Sequence, residues 1–131
     1  MKLASNDAFE LAKLFRALSQ TLGDYRLDQW TQLTPAQRQL LEDAEWSLLS
    51  NSSDIRTRAV GLVLDESAIS FAALKESTSK ARKAVEKLAK AHKAIKIAIA
   101  AVGLAAAVMA RDPGAIASNA AALVDAATAS S

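Results

Sequence analysis

The chain contains no cysteine, one histidine, two prolines and four glycines. Without cysteine, neither a disulfide framework nor a thiolate metal site can form. A single histidine rules out metal sites built from several, and no HExxH, EF-hand or phosphate-loop pattern occurs. A Ser/His/Asp arrangement would have to use His92, which stands among lysines with no carboxylate at hydrogen-bonding helical spacing. The grouped acids Glu42, Asp43 and Glu45, and the pair Asp65 and Glu66, read as solvated outer helix faces rather than catalytic carboxylates. These gaps point away from an enzyme and imply no metal and no cofactor. No aromatic residue follows Phe71, so the second half offers no base-stacking platform, and no Asn, Gln or Arg row stands ready to read base edges. The opening MKLASNDAFE has no apolar run of the kind a secretory signal needs, so a cytoplasmic location is expected.

What is present favours helix. About half of the 131 residues are apolar (51%) and 23% are charged, ordinary proportions for a globular chain. Alanine is over-used, most of all after residue 94, and no period-2 alternation of any length competes with it. The length suits one domain, residues 1–131. The expected fold class is therefore all-α: a helical bundle holding one long heptad-patterned helix and an Ala-rich C-terminal antiparallel hairpin.

Local signals divide that bundle. Leu11, Ala12, Phe15, Leu18 and Leu22 form one stripe, with Ala8 before them, and Gly23 suits the closing residue of a helix over 5–22. In the connection that follows, Trp30 reads as a plug over one end of the core. Thr34-Pro35-Ala36-Gln37 is a capping box with proline at the first helical position, so a second helix starts there. It is expected to end near Ser50, with Leu40, Leu41, Ala44 and Leu48 inside, Glu42, Asp43 and Glu45 outside, and a turn over Ser50–Asp54. From Ile55 to Met109 a heptad seam keeps its phase through Val60, Leu64, Ser67, Phe71, Leu74, Thr78, Ala81, Val85, Leu88, His92, Ile95, Ile99, Val102, Ala106 and Met109. A continuous helix of that length would extend for about 80 Å, too long for a compact chain of this size. Ser77-Thr78-Ser79, three poor helix formers in a row, predicts the break, giving helices over 54–76 and 79–110. Asp112 and Pro113 then cap a last helix over 113–129.

Charge and hydropathy suggest where such a chain would meet a partner. Residues 1–70 carry seven Lys/Arg against ten Asp/Glu, a balance of −3, and residues 71–131 carry nine against four, a balance of +5. On the lysine-rich segment the basic face is Lys80, Lys83, Lys87 and Lys90, with Lys93 and Lys96 beyond. With the seam turned inward, the outer lines change from lysine to apolar after Lys96, leaving Ile97, Leu104 and Val108 as an apolar outer face. A helix apolar all round must be buried in protein or lipid. His92, between Leu88 and Ile95, reads as a boundary residue capping the apolar end of the seam.

The expected function is that of a non-enzymatic helical interaction protein: a self-associating regulator, adaptor or immunity-like binder. Its interaction seam is Val85, Leu88, His92, Ile95, Ile99 and Val102, and it acts as a homo-oligomer or against another helical protein. The alternative is a peripheral membrane or membrane-active helical hairpin, although the uncharged run from Ile97 to Ala110 makes only about 21 Å of helix against a hydrocarbon core of about 30 Å. A third, weaker reading is non-specific nucleic-acid binding through the basic face at 80–96.

Overall fold

A reciprocal capping box opens the second helix. The Gln37 backbone N–H donates to Thr34 Oγ1 at 3.1 Å, and the Thr34 N–H donates to Gln37 Oε1 at 2.9 Å. In the computed structural model, residues 5–57, 71–87, 90–110 and 112–128 are described, with the side chains of residues 5–8, Phe71 and Pro113 left aside. They form five helices and, among the described residues, no strand. Helix α1 is Ser5–Asp28, α2 is Pro35–Thr57, α3 is Phe71–Glu86, α4 is Ala91–Ala110 and α5 is Pro113–Thr128, with a 3-10 turn at Trp30–Gln32. The all-α bundle expected from composition is the fold.

The helices form a ring of neighbours in the order α1, α2, α4, α5, α3 and back to α1. Two hydrogen bonds set α1 and α2 antiparallel: Ser19 Oγ donates to the Glu45 carbonyl (2.8 Å) and Ser52 Oγ to the Ala12 carbonyl (2.7 Å). Glu10 pairs with Lys75 at 2.7 Å, and Tyr25 and Asp28 border one cleft with Val85 and Glu86, so α3 runs parallel to α1. Ser77 of α3 and Gly103 of α4 both lie beside the middle of α5. A helix continuing straight from Ser77 would carry Gly103 about 39 Å away at 1.5 Å per residue, so the chain reverses between them. Successive helices therefore alternate in direction.

That reversal falls at Lys87–Lys90, between the end of α3 and the start of α4. It does not fall at Ser77–Ser79, through which α3 runs without interruption. The hydroxyls explain why. Ser77 and Thr78 are buried and each donates to the Leu74 carbonyl, at 2.9 and 3.1 Å, so neither leaves a buried polar group unpaired. The same device carries α2 through its expected turn, where buried Ser52 bonds across to α1 and Thr57 bonds back to the Ser53 carbonyl. Gly23 likewise does not end α1, which continues to Asp28 and buries Tyr25. The glycine leaves room for the Glu45 carboxylate, whose Oε1 would stand 2.8 Å from a Cβ there. The expected seam positions Val60, Leu64 and Ser67 lie outside the described residues.

One core runs through the ring, from Leu11, Phe15, Leu18 and Leu22 through Leu41, Leu48 and Ile55 to Leu74, Ile97, Leu104, Ile116 and Leu123. Arg26 Nε bonds Glu45 Oε2 at 2.6 Å and its Nη2 bonds Oε1 at 3.3 Å, so Glu45 faces α1 instead of the outside. That partnership holds the guanidinium proton more firmly than usual. Trp30 is not a plug: it is 43% exposed, with the Arg38 guanidinium 4.4 Å from its ring centroid. Leu40, expected inside, is half-exposed. At the far end, Asp112 closes α4 and opens α5. Its N–H donates to the Ala107 carbonyl (3.2 Å), and its Oδ1 accepts from the Ala115 N–H (3.1 Å).

Candidate interaction face

Helix α4 is apolar around nearly its whole circumference, so hydropathy alone cannot decide which side turns inward. Ala94, Ile97, Ala98, Ala101, Leu104, Ala105 and Val108 are all buried. At about 100° per residue these fall on one stripe, centred on Ala101. The residues proposed as an apolar outer face, Ile97, Leu104 and Val108, are thus core, all at 0% exposure. The C-terminal half of the heptad seam takes their place outside. His92 and Ala106 are exposed, Ile95, Val102 and Met109 are half-buried, and Ile99 is 62% exposed.

Two physical facts produce this exchange. Counted as one continuous helix, the buried stripe of α3 (Leu74, Thr78, Ala81, Val85) and that of α4 lie on opposite sides. Reversal at Lys87–Lys90 frees α4 from the phase of α3 and lets it choose its own inner face. The stripe it buries is the one rich in alanine, which admits the backbones of α2 and α5 closely, while Ile97, Leu104 and Val108 fill the gaps. Gly103 extends the same principle, since the Asn119 side chain occupies the place where a Cβ would stand. Asn119 Nδ2 is itself tied to the Ala115 carbonyl at 2.8 Å.

The proposed seam residues are therefore not brought together. Val85 is buried in α3, Leu88 lies outside the described residues, His92 and Ile99 are exposed on the outside of α4, and Ile95 and Val102 flank them, half-buried against the core. The outer strip has a gradient in size. Its first half carries His92, Ile95, Lys96 and Ile99, and its second half ends in Ala106 and Ala110. Of the lysines, Lys80, Lys83 and Lys87 are spaced as one face of α3 and its last turn, and Lys90 stands beyond that helix. Lys80 pairs with Glu76 at 3.1 Å beside a cleft between α3 and α5, while Lys83, Lys87 and Lys90 are exposed around the α3–α4 reversal. Lysine is thus concentrated at the end of the bundle from which the α4 strip begins.

Sequence reasoning missed a second feature. Phe9 and Leu49, exposed on α1 and α2, border clefts with Lys13, Arg16 and Arg56. The two residues are widely separated in the chain, so only the antiparallel pairing of α1 and α2 assembles them. Among the described residues no group of His, Cys, Asp and Glu could hold a metal ion. In comparisons with known protein families, curated proteins and solved structures, the chain matches none.

Proposed function

We propose that this protein is a non-enzymatic helical interaction module that self-associates through the outer strip of α4. The observation that carries this reading is Ile99, a β-branched apolar residue left 62% exposed in the middle of a strip that Ile95, Val102 and Ala106 continue. A second copy is the best-fitting occupant because the strip is complementary to itself. An antiparallel pair of α4 helices with its two-fold axis between Ile99 and Val102 sets those two residues opposite each other. It also sets Ile95 against Ala106 of the second copy, large against small. The same register brings Lys90 towards the exposed Asp112 of the second copy, uniting opposite charges at both ends. An interface of this limited size supports association on the order of micromolar.

The absence of native cysteine makes the test clean. Chains carrying Ile99→Cys and Val102→Cys, mixed and oxidised, should form a mixed disulfide dimer in high yield. Ala115→Cys, on α5, should not. Equal cross-linking at all three positions, or none at Ile99 and Val102, refutes the arrangement.

A membrane surface is the second reading, supported by α4 itself. Among the described residues it is the one helix long and apolar enough by composition to cross a bilayer, although half of that stretch is buried inside the bundle. On this reading the Ile99 strip would lie in the interface with the lysines of the reversal against anionic headgroups. Sedimentation with phosphatidylglycerol vesicles, lost on Ile99→Lys and weakened by salt, would favour lipid over a second copy.

A further inference from the structure

The outer groove between α1 and α2 has a chemistry that the α4 strip does not share. On α1, Phe9 and Arg16 are seven residues apart, and on α2 so are Leu49 and Arg56. Each pair spans about two helical turns, or about 10 Å. The bond from Ser52 to the Ala12 carbonyl fixes the register, setting Phe9 across from Arg56 and Arg16 across from Leu49. Phe9, Arg16, Leu49 and Arg56 consequently alternate apolar and cationic around the groove, with Lys13 between the two α1 residues and Glu10 also lining the second cleft. Two adjoining open clefts of about 630 and 770 Å³ share Phe9 and Arg56. Phe9 is 40% and Leu49 38% exposed.

Among the described residues that line the groove, three cations stand against one acid, Glu10. Among the described residues Lys13, Arg16 and Arg56 have no ion-pair partner, and the acid nearest in sequence to Lys13, Glu10, is committed to Lys75 at 2.7 Å. This is a local cluster of three cations in the half of the chain whose balance is −3. Two of its hydroxyls are already satisfied, Ser52 by the Ala12 carbonyl and Thr57 by the Ser53 carbonyl. What remains to be met is positive charge beside apolar surface.

We propose that this groove binds an acidic amphipathic helix of another protein. Apolar residues at i and i+7 on such a helix are separated by about 10 Å, the axial spacing of Phe9 and Leu49. Carboxylates flanking that apolar line meet Arg16 and Lys13 on one side and Arg56 on the other, in charge-assisted hydrogen bonds. A free phosphate or carboxylate would leave Phe9 and Leu49 uncovered. A nucleic acid would find one aromatic ring where stacking needs several. The groove is on α1 and α2, so this proposal stands apart from self-association through α4.

The test uses the full chain and a fluorescein-labelled peptide of about four helical turns, with leucines at i and i+7 and glutamates flanking them. Fluorescence anisotropy should show saturable one-to-one binding that weakens with salt. Arg16→Glu with Arg56→Glu should weaken it at least about tenfold, and Phe9→Ala at least about fivefold. Lys87→Glu, at the α3–α4 reversal, should leave it unchanged, as should Ile99→Lys. A peptide with lysine replacing each glutamate should be ignored by the wild type and bound by the Arg16→Glu, Arg56→Glu chain. All the substituted side chains are exposed, and matching urea midpoints confirm that each variant is folded. The proposal is overturned by absence of saturable binding, by insensitivity to charge reversal, or by an equal loss with Lys87→Glu. Competition by phosphatidylglycerol vesicles or oligo-dT at equal charge concentration would reassign the groove to a lipid or nucleic-acid phosphate and overturn it too.

Discussion

Gly103 and Asn119 meet where α4 and α5 approach, and the contact reverses an ordinary rule. Replacing a mid-helix glycine with alanine normally stabilises a helix by about 1 kcal/mol. Here the new methyl would take the place of the Asn119 carboxamide, which is held by the Ala115 carbonyl. Gly103→Ala should therefore destabilise the chain, by about 1–3 kcal/mol in urea unfolding. Asn119→Ala in the same chain should recover most of that loss, so the pair couples strongly in a double-mutant cycle. A stabilising Gly103→Ala would mean that the Asn119 carboxamide swings aside at little cost. Tyr25 offers a pH test at the same scale. Burial pushes its phenol above the ordinary value of 10.0. The unfolded chain then loses its phenolic proton first, so the contribution is complete below pH 10 and falls as pH rises through the folded value. Stability should decline above about pH 10, and Tyr25→Phe should flatten that decline whatever it does to the stability at neutral pH. Parallel slopes for the two chains would contradict the assignment.

Helix α4 shows how far a sequence can be read before packing decides. The starts of α2 and α5 are legible because Thr34, Gln37 and Asp112 act on backbone groups within three residues of themselves. The stripe of α1 is legible because its other face is polar. The orientation of α4 is not, because its circumference offers two apolar lines: the heptad line through Ile95, Ile99 and Val102, and the alanine-rich line through Ala98, Ala101 and Ala105. Heptad phase favours the first line, while close approach to two neighbouring helices favours the second, and the second is the one buried. Serine and threonine mislead for a related reason. Ser52 finds its carbonyl partner on α1, which local propensity cannot register. Ser77 and Thr78 satisfy their buried hydroxyls on the Leu74 carbonyl of their own helix and so do not break it. The α1–α2 groove is illegible for want of any local motif. The assignment of α4's faces predicts opposite outcomes for two isoleucines two residues apart. Ile97→Ala should cost about 2–5 kcal/mol. Ile99→Ala, measured on dilute chain, should change stability by no more than about 0.5 kcal/mol. Equal losses would mean that α4 is turned the other way.

On the scale of the whole molecule, the bundle closes its core with a ring of five helices and needs no second chain to cover Ile97, Leu104 or Val108. The proposed self-association is therefore not needed to cover those three residues. It rests on what remains outside, a strip that costs the monomer little and that a second copy can bury. Association of this kind should be reversible by dilution and separable from stability, unlike an obligate dimer whose unfolding tracks its concentration steeply. It should also leave the α1–α2 groove open in both copies, so that one dimer presents two basic grooves. The most direct measurement is sedimentation equilibrium on wild type and Ile99→Lys across about 1 to 200 µM, the range expected for an interface of this size. Pairing through the α4 strip gives a wild-type mass that rises from one chain to two, and an Ile99→Lys mass that stays at one chain with an unchanged urea midpoint. A wild type that remains monomeric throughout, or an Ile99→Lys chain that dimerises as well as the wild type, would contradict it.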